Sequence, residues 1–350
     1  MSNHRKKKIA ILGFGGTIAM VPDANGVLAP AKSSADIVKI VPVIDEMAEV
    51  HFEQIENRDS TNIHPGHWTG LIFKIRDIHE QYDGIIVTHG TDTMAYNAGA
   101  TALGMGSGLK IPIVFTGAQL PLVAYGSDAR FNLENSVKAI IQAHNMGIAE
   151  VMIVFSDRIL RAARAIKTSE ARFLAFDSPA FQHLGSITAL GIEFANDARR
   201  KNPAQKLEIK PHFQRGILAV DLVPGLEPGI LLHILRSGRC QGLLLKSLGA
   251  GNVPSMDDYS LIPVIKEATE SLNIPVLVST KFVGGNTHMD IYEPGKQAMA
   301  AGAIPTGDMT DVMAQVKFMW ALAQGYRRHD ELQRVMLSNF VGEVTGLPAA

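Results

Sequence analysis

Two short stretches of this sequence bring glycine, hydroxyl and carboxylate together where an apolar run ends. They are Gly13-Phe14-Gly15-Gly16-Thr17-Ile18-Ala19 and Val87-Thr88-His89-Gly90-Thr91-Asp92-Thr93. Glycine lets the backbone turn sharply, and in open α/β sheets ligands bind at the carboxyl ends of the strands. In the second stretch an apolar strand breaks at Gly90, and Thr91 or Asp92 is expected to begin a helix. The free N–H groups of a helix start favour a substrate carboxylate or a developing oxyanion. Each stretch alone has a plainer explanation. Glycines in α/β turns often serve packing only, this pair lacks the spacing of a dinucleotide or phosphate-loop fingerprint, and Thr or Asp at a helix start is an ordinary N-cap. What sets the two apart is that polar residues crowd the strand end in both. His64 and His67 are separated by Pro65 and Gly66, which prevents the one-face helical spacing of a metal pair, so they read as loop-start residues.

The elements that must position these residues follow from the hydrophobic pattern. Apolar runs of strand length occur at Lys8–Phe14, His51–Ile55, Gly84–Thr88, Pro112–Thr116 and Glu150–Phe155. Segments of helical period lie between them, the alternation that predicts helices on both faces of a parallel sheet. Trp68, Leu71, Ile72, Ile75 and Ile78 form one buried stripe, and Ser33 with Asp36 suggests a capping box for another helix. A third helix is expected from about Asp128 to His144, with Phe131, Leu133, Val137, Ile140 and Ile141 inward. After Phe194 a polar, aperiodic, proline-containing segment reads as a linker over 195–212. Beyond it strands are expected at Ile217–Leu222, Gly242–Lys246 and Pro275–Ser279, with helices around Pro228–Arg236 and Asp257–Leu272. The expected fold is α/β: a larger, mainly parallel-sheet N-terminal domain over 1–194 and a smaller C-terminal α/β domain over 213–350.

Bulk properties narrow the function classes. With 33 Lys+Arg against 34 Asp+Glu the formal net charge is -1, which offers no basic excess for a nucleic-acid backbone. Cys240 is the only cysteine, so an internal disulfide and a multi-cysteine metal site are both excluded, and a buried structural thiol in a reducing compartment is the natural reading. Arg5-Lys6-Lys7-Lys8 followed by Ile9 to Phe14 imitates a secretory signal, but the apolar run is only strand length and leads straight into a glycine turn. No stretch reaches the ~20 uninterrupted apolar residues of a membrane span. A cytoplasmic protein with no nucleic-acid or membrane partner is expected.

Gly15-Gly16-Thr17-Ile18-Ala19 and His89-Gly90-Thr91-Asp92-Thr93 resemble the paired signatures of the bacterial-type L-asparaginases, in order and separation. Thr116-Gly117-Ala118-Gln119-Leu120-Pro121, Ser127-Asp128, Arg164-Ala165-Ile166-Lys167-Thr168, Gly249-Ala250-Gly251-Asn252 and Gly307-Asp308-Met309-Thr310 resemble further segments of that family, so the similarity spans nearly the whole chain. The cytoplasmic type I branch is the more similar one, on His89 to Tyr96 and the lack of an export signal. The resemblance implies a two-step amide hydrolysis without cofactor, converting L-asparagine to L-aspartate and ammonia, in which Thr17 forms an acyl-enzyme. A threonine hydroxyl is a poor nucleophile at neutral pH and requires a base. On the resemblance, Lys167 supplies it beside Thr91 and Asp92, although by position alone Lys167 would read as a surface residue in a run with Arg158, Arg161 and Arg164. The same resemblance implies that Asp92 holds the substrate α-ammonium and Ser60 its α-carboxylate, with Gly90, Thr91, Ala118 and Asn252 completing the binding set. It also implies a homodimer or homotetramer, in which Asn252 reaches the neighbouring subunit's site, although a glycine-bounded Asn is equally a turn residue.

Two departures stand out. Asn62 stands where an Asp is usual in the Ser60 segment, and Val27 stands where the family places a loop tyrosine that helps activate the nucleophile. Valine cannot relay a proton; Tyr125 and Tyr292 are the substitutes considered, though packing is the simpler role for both. The competing readings are hydrolysis of glutamine or another amide, and a non-catalytic amino-acid-binding homologue. An asparaginase-like subunit of a tRNA-dependent amidotransferase is disfavoured, because Thr17 leaves no room for an extra N-terminal domain.

Overall fold

The computed structural model describes residues 5–16, 18, 20–22, 28–30 and 41–346. Thr17, Val27 and the Ser33/Asp36 pair lie outside the described residues. The chain divides into two compact units, Met1–Ser178 with Gln182–Pro211, and Pro179–Phe181 with His212–Ala350.

The first unit is built on an eight-stranded sheet. Its strands are β1 (Lys7–Phe14), β4 (Ala48–Glu56), β5 (Gly84–His89), β6 (Ile113–Thr116), β7 (Val151–Phe155), β8 (Arg158–Arg161), β11 (Gly185–Thr188) and β12 (Gly191–Phe194). Two small antiparallel pairs stand apart, β2 (Met20–Pro22) with β3 (Leu28–Pro30), and β9 (Ile166–Lys167) with β10 (Phe176–Asp177). The order in the large sheet is β12-β11-β8-β7-β6-β5-β1-β4, parallel from β4 to β7 and antiparallel beyond. The parallel strands therefore run second, first, third, fourth, fifth in chain order. The chain turns from one side of β1 to the other between β4 and β5, and the crevice at such a switch point is where ligands bind.

Helices α1 (Val43–Met47), α2 (Pro65–Ile78), α3 (Met94–Met105) and α4 (Ala129–Asn145) cover this sheet. Ile86, Val114, Met152 and Val154 pack with Leu133, Val137 and Ile140 of α4 on one face. The alternate residues Ile85, Val87, Ile113, Phe115, Val151 and Ile153 are also buried, as strands covered on both faces require. Trp68, Leu71, Ile72 and Ile75 of α2 are buried, and Ile78 partly so. Phe131, expected inward, is half exposed. It precedes Leu133 by two residues, roughly 200° around a helix, and so falls off the stripe that Leu133, Val137 and Ile140 define.

The second unit holds a parallel sheet in the order β13 (Ile217–Asp221), β14 (Gly242–Ser247), β15 (Val276–Thr280), β16 (Ala303–Pro305). Its helices are α5 (Pro228–Arg236), α6 (Ile262–Lys266), α7 (Glu293–Ala300), α8 (Asp311–Ala323) and α9 (His329–Leu337). The single helix expected over Asp257–Leu272 is broken into a 3-10 turn at Asp257–Tyr259, α6, and a π-helical turn at Glu267–Ser271. Pro263 lacks an N–H and fits only the first turn of a helix, so α6 begins at Ile262. Cys240 is buried and its thiol donates to Gly242 O at 3.2 Å.

Candidate active site

The carboxyl ends of β1, β5 and β6 meet at the switch point. Phe14 is the register partner of His89, and Thr88 of Thr116, so the loops that follow these three strands leave side by side. Gly15 and Gly16 both have positive φ, 84° and 81°, where a side chain is strained. There is no space for one either: a Cβ on Gly16 would stand 2.6 Å from Gly90 N, and one on Gly15 would collide with Arg58 O. The glycine turn thus lays the backbone leading to Thr17 directly against the start of the Gly90-Thr91-Asp92 turn.

Thr91 and Asp92 do not begin the helix, contrary to the N-cap pattern; α3 starts at Met94 behind Thr93. The three-residue turn leaves their side chains free for Lys167, which donates to Thr91 Oγ1 at 2.8 Å and to Asp92 Oδ1 at 2.7 Å. Lys167 is carried by β9, pinned through its register with Phe176 on β10. The residue that sequence position alone makes a surface lysine is largely covered, its side chain 17% exposed, while Asp92 remains open at 57%.

Ser60 sits in a 3-10 turn, Ser60–Asn62, which Asp59 caps by accepting from Thr61 N at 2.8 Å. Hydrogen bonds from the Thr61 backbone and hydroxyl hold the Asp59 carboxyl below its usual range. Ser60 is buried against Gly90, where a Cβ would approach its Oγ to 2.7 Å, and Thr93 Oγ1 donates to Ser60 O at 2.7 Å. Ala118 is buried in the loop after β6, beside Gly117, whose missing Cβ leaves room for His89 O. Thr91, Asp92, Lys167, Ser60, Gly90 and Ala118 therefore gather at one strand end of the first unit. Asn252 belongs to the second unit, in a tight turn where its N–H donates to Leu248 O at 2.8 Å, beside Gly249 and Gly251 at positive φ. His64 caps α2, accepting from Gly66 N at 3.2 Å, and His67 Nδ1 accepts from His64 N at 3.2 Å. Among the described residues no group of three or more His, Cys, Asp or Glu side chains could hold a metal ion.

Two participants escape a reading of the sequence alone. His89 is buried between Phe14, stacked at 5.5 Å, and Phe115, and its Nδ1 donates to Gly90 O at 2.7 Å. Burial lowers its pKa to about 4, so the ring is neutral near pH 7. Gln119 follows Ala118 and reaches both Thr91 and the loop beyond Lys167. A glutamine one residue past a Gly-Ala turn is the available signal, but only the fold shows what it touches.

Comparison with known proteins adds a family. Residues 8–200 match the family described as asparaginase, N-terminal, and residues 217–336 match the glutaminase/asparaginase C-terminal domain. An L-asparaginase of Thermococcus kodakarensis is 31% identical over 97% of this chain and 99% of its own. Its solved structure superimposes with a TM-score of 0.87. L-asparaginase I from Vibrio cholerae is 27% identical, with a TM-score of 0.84 over 97% of this chain and 99% of that one. A subunit of the glutamyl-tRNA(Gln) amidotransferase of Aeropyrum pernix is 30% identical over 97% of this chain and 80% of its own length.

Proposed function

Because the chain belongs to the asparaginase family, we propose that it hydrolyses the side-chain amide of L-asparagine to L-aspartate and ammonia. Thr17 attacks the carboxamide carbon, ammonia departs, and water then cleaves the acyl-threonine. Lys167 is the base that draws a proton through Thr91. Asp92 holds the substrate's α-ammonium, and Ser60, with the Gly90 turn and Ala118, receives its α-carboxylate. The reading rests on one observation above all: Lys167 Nζ lies 2.8 Å from Thr91 Oγ1 and 2.7 Å from Asp92 Oδ1, at the switch point where the Gly15-Gly16 turn meets Gly90. We propose further that Asn252 contributes from the neighbouring subunit of a homodimer or homotetramer, and that the protein works in the cytoplasm. Among the described residues no helix is long and apolar enough to cross a membrane.

A coupled assay of ammonia release tests this. Asparagine should be turned over steadily, and glutamine more slowly; a preference for glutamine would replace the substrate but keep the chemistry. Thr17→Ala and Thr91→Val should each abolish release in a protein that melts as the parent does, and near-normal turnover by either would end the two-threonine scheme. Lys167→Met should be inactive at every pH, because methionine cannot accept a proton; activity regained at alkaline pH would reduce Lys167 to a charge effect. A second reading, a non-catalytic amino-acid binder, is favoured by Val27. It predicts aspartate or asparagine binding with no ammonia at all.

A further inference from the structure

We propose that Gln119 is a positioning residue for this site: its carboxamide aims the Thr91 hydroxyl and ties the loop that carries Lys167 to the Thr91 turn. The inference rests on the reading of Thr91 and Lys167 given above. Gln119 Nε2 donates to Glu170 O at 2.9 Å and to Arg172 O at 3.0 Å. Carbonyl oxygens only accept, so the two of them fix the amide group on that side and turn Oε1 the other way. There it stands 3.5 Å from Thr91 Oγ1. Thr91 is consequently the donor in that contact, and it already accepts from Lys167 at 2.8 Å. With its single proton directed to Gln119 and one lone pair taken by Lys167, the hydroxyl has one lone pair left to face substrate or water. At 3.5 Å the bond to Gln119 is long enough to release the proton when Lys167 acts as the base, so Gln119 sets the resting direction of the hydroxyl and the proton turns to Lys167 as Thr91 accepts one from the nucleophile.

The glutamine is itself well anchored. Its backbone N donates to both oxygens of Asp128, at 3.1 and 3.0 Å, and Leu120 N donates to Asp128 Oδ1 at 3.1 Å. Asn132 Nδ2 donates to Asp128 Oδ2 at 3.1 Å and to Gly117 O at 3.0 Å, so the start of α4 fixes the whole loop after β6. On the other side, the segment held by Gln119 lies between β9 and β10, and Thr168 N donates to Ala175 O at 2.8 Å to close that hairpin behind Lys167. Lys167 and Thr91 are thus set against one another twice: by their own hydrogen bond, and through Gln119.

Gln119→Met and Gln119→Glu separate the two tasks. Methionine keeps the volume and loses every polar contact. Glutamate keeps an acceptor toward Thr91, loses the donors, and places a negative charge one hydroxyl away from Lys167. For Gln119→Met, kcat on asparagine should fall at least about 10-fold with KM within about twofold, since orientation and not binding is lost. Amide hydrogen exchange over 168–175 should quicken. For Gln119→Glu, which keeps the acceptor toward Thr91 and loses both donors, exchange over 168–175 should quicken as in the methionine variant while kcat falls less. Unchanged kcat in the methionine variant, or unchanged exchange over 168–175 in the glutamate variant, overturns the proposal. If the parent itself releases no ammonia from asparagine or glutamine, the activity reading has failed separately. Hydrogen exchange then decides: faster exchange in Gln119→Met supports the tie, and unchanged exchange overturns it.

Discussion

A neutral histidine at the end of a central strand makes acid a specific threat to this fold. An unfolded chain would protonate His89 near the ordinary value of about 6.5, whereas the folded ring resists protonation until about pH 4. Above pH 6.5 both states carry the neutral ring and its stabilising contribution is complete. Between 6.5 and 4 only the unfolded chain gains the proton, so stability falls as pH falls, by about 3 kcal/mol in all. Urea midpoints at pH 7 and pH 4.5 should therefore converge in His89→Gln relative to the parent; an equal acid loss in both proteins would remove His89 from the explanation. The motif containing His89 is plain in the sequence, but its burial is not, because only the β1 and β6 rings of Phe14 and Phe115 make that environment. Lys167 is hidden for the same reason. It lies 75 residues from Asp92, no local pattern joins them, and family resemblance alone singles it out. Tyr125, considered as a stand-in for the tyrosine missing at Val27, has a fully exposed side chain.

Strands are the most legible elements, since β1, β5, β6 and β7 are short apolar runs buried on both faces and bounded by turns. Helix starts are less so. At Thr91-Asp92 the N-cap signal misleads because Lys167 claims both side chains, and α3 waits until Met94. The strand order is not legible at all: which side of β1 the chain takes after β4 is a matter of packing, yet it creates the switch point. The glycine turn there has a testable rigidity. In Gly16→Ala the new Cβ meets Gly90 N at 2.6 Å, backbone against backbone, at a φ of 81°. The left-handed conformation alone costs about 1–2 kcal/mol. Relief requires the β1 and β5 loops to part, so ammonia release should fall by more than the loss of folded protein explains. A variant that melts lower but keeps full activity per folded molecule would show that the turn serves stability only.

At the scale of the whole molecule, polar sequence proves a poor guide to freedom. The segment read as a linker over 195–212 is bound along the first unit as far as Pro211: Ala149 N donates to Arg199 O at 2.9 Å, Lys201 N to Gly147 O at 2.8 Å, and Lys210 N to Gly104 O at 2.8 Å. Buried Glu150 accepts from the Arg199 N–H and pairs with Arg161, which in turn pairs with Asp197 at 3.2 Å, so the segment is attached by charge as well as by backbone. The second unit closes on a stronger version of this device. Lys317 and Glu343 are both fully buried, 2.7 Å apart; Lys317 Nζ also donates to Met336 O at 2.9 Å, and Glu343 accepts from Phe340 N and Val341 N. The pair fastens the chain after α9 to the middle of α8. Removing one partner strands the other charge in the core, which typically costs about 3–5 kcal/mol, whereas removing both charges together can be nearly neutral. Glu343→Gln should therefore lower the stability of the second unit, read from its denaturant midpoint, by about that amount. Lys317→Met with Glu343→Gln should cost less than either single change, because the amide carbonyl still accepts from the 340–341 backbone and no charge remains unpaired. If the double variant is instead the least stable of the three, the ion pair itself, and not the avoidance of a lone buried charge, holds the end of the chain in place.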